Sequence, residues 1–423
     1  MENSQRKYAV LSLDPMYSPL HSKIAVQVGK KQECYAILSC WAKKVYLRGF
    51  QFTLATKLIN SVNESSLSNT LLKRVEQLTT YHHAYVKKIE RRALSQAEIR
   101  YMARFYQALE QYIDSKRIEL ILVHNDLRWY HAIAIDICKR KGIRYLVTEQ
   151  GLIRPYTTVI DNQGVNANAN IKLFKERSSL PTIKAHFKPN TRHDSWISIT
   201  FFLFFIITFS FERLLGSRSI LRYMHNNYSI KKYFIRFVYK FKSNKVSDND
   251  SIKKTKYALL ILQLEYDSQI LVHSDFYGNQ EIIDKVEKQI KNAGMVLIIK
   301  KHPLDFNNYK ISESTKWVSG NIKQLSSHSS LVITVNSSAV IDVLHTSTPL
   351  ILLGDSIYNI DGVAEFSNIN NISDTYKKIK IDREKRQRFI RMIKNDYLMQ
   401  GAAFSYHREI LNSKLIQLIE GEE

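Results

Sequence analysis

A chain of 423 residues exceeds what one compact core usually holds and suits two domains of roughly 150–200 residues each. Its 44% hydrophobic and 11% aromatic content is that of a folded protein, and no low-complexity tract or internal repeat points to a disordered or solenoid chain. The formal charge of +23 calls for anionic partners; zinc-finger spacing, a KH GxxG loop and an RNP-like aromatic strand are absent, which sets nucleic acid behind acidic lipid surfaces and phosphorylated or carboxylated substrates.

In chain order, Tyr8–Leu13 reads as a first strand ended by Asp14 and Pro15. Residues 68–116 are helical in pattern, with Leu71, Leu72, Val75 and Leu78 at three- and four-residue spacing and no Gly or Pro. The run IELILV (118–123) is a buried strand, 130–141 a helix stopped by Gly142, and 143–147 the next strand, which makes a βαβ unit. A second block follows a polar linker at 243–251: strand 257–264, helix 281–293, strand 295–299, strand 331–335, helix 339–345 and strand 350–353. Two such blocks predict an α/β fold of the GT-B-like kind, with two Rossmann-like domains facing across a cleft. The expected boundaries are 1–195, 196–250 and 251–423.

The middle segment differs from both blocks. Residues 196–211 (WISITFFLFFIITFSF) carry no charge over sixteen positions, and 213–245 carry nine Lys or Arg and no acid. A spanning helix needs about 20 apolar residues, so the run is short for a span and suits a helix lying in an anionic membrane interface. A buried core helix beside a solvated basic face is the plainer alternative. Cys34, Cys40 and Cys138 form no CxxC or metal-ligand pattern, and residues 1–15 lack the apolar core of a signal peptide, so a reducing cytoplasm is expected.

Ionisable residues gather where strands end. Asp126, Arg128 and His131 follow IELILV, and Glu149 follows IRYLV, so two carboxylates at neighbouring strand ends can supply a nucleophile and an acid/base. The same residues, with Arg154, also suit a structural ion-pair network. His302 and Pro303 close the strand MVLIIKK; proline holds the preceding residue extended, which offers the imidazole, beside Lys301, to a phosphate. Asn336, Ser337 and Ser338 follow LVITV and precede a helix, as N-caps do, and such a terminus can bind an anion. Asp248-Asn249-Asp250 has a DxD form but sits in the polar linker, and no P-loop or GxGxxG is present.

The order of these motifs resembles a known family. HNDLRWYH (124–131), TEQGLIRP (148–155) with GVNANAN (164–170), LQLEYDSQILVHSDF (262–276), KKHPLD (300–305) and NSSAVIDVLHTSTPLILLGDSIYNIDG (336–362) are similar to the successive segments of the bacterial capsule-polysaccharide synthesis family of β-Kdo transferases. Val340, Ser347 and Gln150 depart from residues common there. The resemblance implies a single-module, metal-independent and cofactor-free glycosyltransferase that takes Kdo from CMP-Kdo with retention. Its acceptor would be an anionic phospholipid or glycolipid of the phosphatidylglycerol type, its place peripheral on the cytoplasmic face of the inner membrane, and its neighbours other capsule biosynthesis or export proteins. It assigns Asp126 as nucleophile and Glu149 to acid/base or positioning work. Arg128 and Arg154 would contact the sugar carboxylate or acceptor phosphate, and His302, counted with the catalytic residues, would hold the CMP phosphate together with Lys301, Ser337 and Ser338; His131, Gly151, Asn166, Pro303 and Asn336 are further substrate-binding candidates. A transferase of another CMP-nonulosonate, such as CMP-sialic acid, and a non-catalytic assembly or export partner of the same fold are the rival readings.

Overall fold

The computed structural model describes residues 6–16, 19–153, 157–170, 191–225, 228, 256–401 and 404–421. It divides into two units, Met1–Tyr228 with Asn395–Glu423, and Ser229–Lys394. The first unit carries β1 (Tyr8–Leu13), β2 (Gly29–Leu38), β3 (Gln51–Leu54), β4 (Leu120–His124), β5 (Arg144–Gln150) and β6 (Thr157–Asp161). Strands β3-β2-β1-β4-β5 run parallel in that order, and β6 returns antiparallel to β5. Every residue of β1 and β4 is buried, as expected of central parallel strands covered on both faces. Chain order reverses between β1 and β4, and the crevice at their C-terminal ends is where open α/β sheets bind ligands.

Helix α1 (Leu20–Val28) and α2 (Gln96–Ser115) cover this sheet, and α3 (Trp129–Lys141) crosses from β4 to β5, stopped by Gly142 at φ 68°. The expected long helix over 68–116 is three separate helices, Asn69–Glu76, Tyr81–Lys88 and α2. Ser68, Thr80 and Ser95 each accept a hydrogen bond from the amide three residues on, and Ser95 with Glu98 forms a capping box. Periodicity persists through such breaks because caps need neither Gly nor Pro.

The uncharged run lies in α4 (Thr191–Leu214). Phe205, Ile206 and Phe209 are buried on the first unit against Tyr46 and Tyr228. Glu212 accepts the amides of Trp41 (2.9 Å) and Ala42 (3.2 Å), which begin a 3-10 turn at Trp41–Tyr46.

The second unit holds β7 (Tyr257–Ile261), β8 (Val296–Lys300), β9 (Lys316–Val318), β10 (Leu331–Thr334), β11 (Leu350–Leu352) and β12 (Glu365–Phe366), all parallel in the order β9-β8-β7-β10-β11-β12. Its reversal falls between β7 and β10. Helix α5 (Asn279–Asn292) packs Ile282, Ile283, Val286 and Ile290 on this sheet. Burying one such side chain is worth about 1.5–3 kcal/mol. The two Rossmann-like units read from the sequence are thus present.

The boundaries differ. The end of the chain belongs to the first unit: β13 (Met399–Gln400) pairs antiparallel with β6, and α6 (Arg408–Ile419) buries Leu411, Leu415, Leu418 and Ile419 with Tyr8, Val10 and Leu120. The segment expected as an independent 196–250 also joins the first unit as far as Tyr228. Residues 229–255, with most of the basic stretch and Asp248-Asn249-Asp250, lie outside the described residues, as does Arg154.

Candidate functional site

At the end of β4 the backbone turns through Asn125 at φ 69°, and the Asn125 side chain accepts the Leu127 amide, which fixes the turn into α3. This places Asp126, 6% exposed, under the loop 164–168. Its Oδ2 accepts from the Val165 amide (3.2 Å) and Asn168 Nδ2 (2.9 Å), while Oδ1 is buried without a partner. A Cβ at Gly164 would lie 2.6 Å from Asp126 Oδ2, so the glycine is what lets this loop close on the carboxylate. Burial pushes the Asp126 carboxyl up to about 6, against the opposing effect of the Asn168 and Val165 hydrogen bonds.

Glu149, on β5 beside it, is the more accessible acid. Its Oε2 accepts from Asn125 Nδ2 (2.9 Å), its Oε1 from the Gln150 amide (2.8 Å), and His124 Nε2 stands 3.7 Å from Oε1. One asparagine therefore shapes the turn that carries Asp126 and also holds Glu149.

Beneath these lies a charge cluster that the sequence reading missed. Asp14, at the end of β1 with φ 51°, is 1% exposed; its Oδ1 accepts the Ser39 amide and hydroxyl, and its Oδ2 faces Lys43 Nζ (3.1 Å), the Tyr130 hydroxyl (2.9 Å) and Arg128 Nη1 (3.7 Å). Burial alone would raise the Asp14 carboxyl, but Lys43 and Arg128 outweigh it and hold the group well below the usual carboxylate range. Lys43 is fully buried, its Nζ 5.6 Å from the ring centres of both Phe205 and Tyr228, so α4 roofs the ion pair. Asp14 could have been found by the rule that found Asp126, since both end strands at the same crevice. Nothing in SCWAKKVY marks Lys43.

His131, expected to touch substrate, is fully buried: its Nδ1–H donates to the Asn125 carbonyl (2.8 Å), and Nε2 is enclosed. Gly151 is likewise accounted for inside the fold. Its amide donates to the Thr157 carbonyl in the β5–β6 hairpin, and a Cβ there would clash with Thr157 Oγ1. In the Asn-rich run the side chain that reaches Asp126 is Asn168; Asn166, at φ 53°, opens the single turn that delivers it.

On the second unit, β8 ends at Lys300 and His302 follows, half-buried, with Nδ1 accepting the Leu304 amide (3.1 Å). That bond leaves the ring hydrogen on Nε2. Lys301 donates to the Asn307 carbonyl and lies over the Tyr309 ring, and Pro303 is exposed. Asn336, at the β10 end, is tied to the β7 side by its amide on Gln263 Oε1 (3.3 Å), and its Nδ2 donates to the Gln269 and Asp355 carbonyls. The N-cap expected at the following helix is not formed by these residues. That helix is one turn, Val340–Val343, with Ala339 in the capping position; Ser337 instead accepts the Ala339 amide, and Ser338 is exposed. A groove of about 850 Å³ lined by Lys323, Ser327, His345 and Tyr376 lies at the N-terminal ends of β10 and β11 and contains none of the expected residues.

By its fold the chain is an α/β protein with two Rossmann-like sheets, and ionisable residues stand at the strand ends of both. It belongs to the capsule polysaccharide biosynthesis protein family, whose model matches residues 119–408. It is 26% identical over 269 residues to the capsule polysaccharide export protein KpsS of Escherichia coli, covering 58% of this chain and 69% of that protein. It is 22% identical over 302 residues to the capsule polysaccharide modification protein LipB of Neisseria meningitidis serogroup B, covering 62% and 69%. Among solved structures, the KpsC beta Kdo 2,7 transferase of Thermosulfurimonas dismutans aligns over 77% of this chain and 97% of that one at 14% identity, with a TM-score of 0.38.

Proposed function

We propose that the protein is a retaining, metal-independent glycosyltransferase of capsular polysaccharide synthesis that moves Kdo from CMP-Kdo to a phosphatidylglycerol-type lipid at a membrane surface. The observation that carries this reading is the pair Asp126 and Glu149, held at adjacent strand ends by one shared asparagine. Their environments differ, which divides their work. Glu149, the accessible carboxylate, attacks the anomeric carbon as the bond from that carbon to the phosphate oxygen breaks and CMP leaves. Asp126, held at about 6, takes the proton of the acceptor hydroxyl as that oxygen displaces Glu149. This exchanges the roles implied by the motif resemblance, because a buried acid with one enclosed oxygen suits proton transfer better than attack. Arg128 is assigned the sugar carboxylate, and His302 with Lys301 the phosphate of the departing nucleotide.

The test is incubation with CMP-Kdo and a short-chain phosphatidylglycerol, with product mass and NMR read for donor, acceptor and anomer. A β-linked Kdo lipid with release of CMP is expected. Transfer only from CMP-sialic acid would move the reading to another nonulosonate, and no release of CMP with any donor or acceptor would favour a non-catalytic assembly partner.

A further inference from the structure

Helix α4 has two faces. Phe205, Ile206, Phe209 and Glu212 are buried on the first unit, while Trp196, Ile199, Leu203, Phe204, Ile207 and Phe211, at three- and four-residue steps along the opposite side, are 47–66% exposed. A continuous apolar stripe of this kind marks a surface that something covers. By length and composition, Trp196–Leu214 would also pass for a membrane span. The inner face argues against a span. Glu212 is fixed to the Trp41 and Ala42 amides, and Phe205 lies over the buried Lys43–Asp14 pair, so threading α4 through a bilayer would carry these charges into hydrocarbon or tear the helix from its seat.

Charge selects the occupant. Arg213, Arg218 and Arg222 are exposed just beyond the stripe, in a stretch that runs acid-free to position 245. A second copy meeting this face about a two-fold axis would bring the same basic strip against itself, whereas an anionic lipid surface is complementary to it. We infer that α4 lies flat in the interface of an anionic bilayer with its outer stripe among the lipids. It thereby sets the β1 and β4 strand ends about one helix diameter, ~10–12 Å, from the membrane, since only α4 separates the stripe from Lys43 and Asp14. An acceptor headgroup is then used while its chains stay in the bilayer. This rests on the proposed lipid acceptor only for that last step; the docking geometry does not depend on it.

The experiment compares the wild type with the variant Leu203→Ser, Phe204→Ser, Ile207→Ser on vesicles of phosphatidylglycerol and phosphatidylcholine, without donor. Wild type is expected to co-sediment with the anionic vesicles and the variant to partition at least tenfold less, with unchanged circular dichroism because these side chains stand outside the core. Bromolipid quenching, read as the difference from Trp196→Phe, should be strongest for bromines near the headgroups. With acceptor embedded in vesicles the variant should lose about tenfold in kcat/KM and keep wild-type turnover on a short-chain soluble acceptor. Equal vesicle binding by both proteins, quenching strongest from bromines at the bilayer centre, or a wild-type dimer that the variant dissolves without loss of vesicle binding would each overturn the inference. Because binding is read without donor, failure of the glycosyltransferase reading leaves that arm intact, and failure of binding leaves soluble turnover to be judged alone.

Discussion

Replacing Asp126 by Asn separates its cost to the fold from its use in the site. A carboxyl held at about 6 instead of the ordinary 3.8 resists ionisation by roughly 3 kcal/mol, at 1.36 kcal/mol for each tenfold in proton affinity. The folded-state value is raised, so wild-type stability is greatest where Asp126 is protonated and falls as pH rises from about 4 through 6. Asparagine can present its Oδ1 to the Val165 amide and Asn168 and has no charge to bury. Its amide hydrogens would occupy the enclosed place of the present Oδ1, at a cost of about 1–3 kcal/mol that does not vary with pH. The stability of Asp126→Asn relative to wild type should therefore climb by about 3 kcal/mol between pH 4 and pH 8, whatever its starting offset. Scanning calorimetry at both ends of that range reads this as several degrees in the melting temperature. A difference that stays constant from pH 4 to pH 8 would refute the assignment of a buried, reluctant carboxylate to this position.

Glu149→Gln should stop turnover and leave donor binding intact, as rapid-quench kinetics with equilibrium binding of CMP-Kdo would show; residual activity above about a tenth, a loss under ~1.4 kcal/mol in barrier height, would return the nucleophile to Asp126. His302→Ala should lower kcat by about 10²–10³, the effect of removing one donor to a developing oxyanion, with an unchanged melting temperature because the ring is half-buried at a strand end. Lys43→Met should destabilise the first unit by about 3–5 kcal/mol by leaving Asp14 short of a partner, and adding Asp14→Asn should recover most of that loss in urea titrations.

The sheets were legible because parallel strands buried on both faces write themselves as unbroken apolar runs: YAVLSL, LILVH and LVIT carry the signal alone. The strand-end rule then located Asp126, Glu149 and His302. What periodicity could not show were contacts between distant segments. The α6 stripe Leu411, Leu415, Leu418 looks the same on whichever sheet it packs, so its place on the first unit was hidden. Lys43 belongs to the site only because β1 and the Trp41 turn converge on Asp14, twenty-nine residues away in sequence. Asn168 and Asn166 differ only in where a single 3-10 turn points them.

The three histidines at the first unit's strand ends invite a misreading that the structure corrects. A rate that changes near pH 6 is ordinarily ascribed to histidine. Here burial pushes His21 down to about 3 and, with Arg128 nearby, holds His124 and His131 well below the usual imidazole range. Each also has a hydrogen-bond partner: Ser12 and Thr148 for His21, Thr148 for His124, and the Asn125 carbonyl for His131. Asp14 is held below the usual carboxylate range by Lys43 and Arg128, so it too is ionised throughout the working range. Asp126 is the carboxyl in this cluster raised to that pH, and as a base it works when ionised, so kcat should fall as pH drops through about 6. Whatever rate His124→Asn and His131→Asn retain, the acid limb of the pH–rate profile should stay near 6 in both. An acid limb that vanishes with His124 or His131 would hand the proton to the imidazole and remove Asp126 from the chemistry.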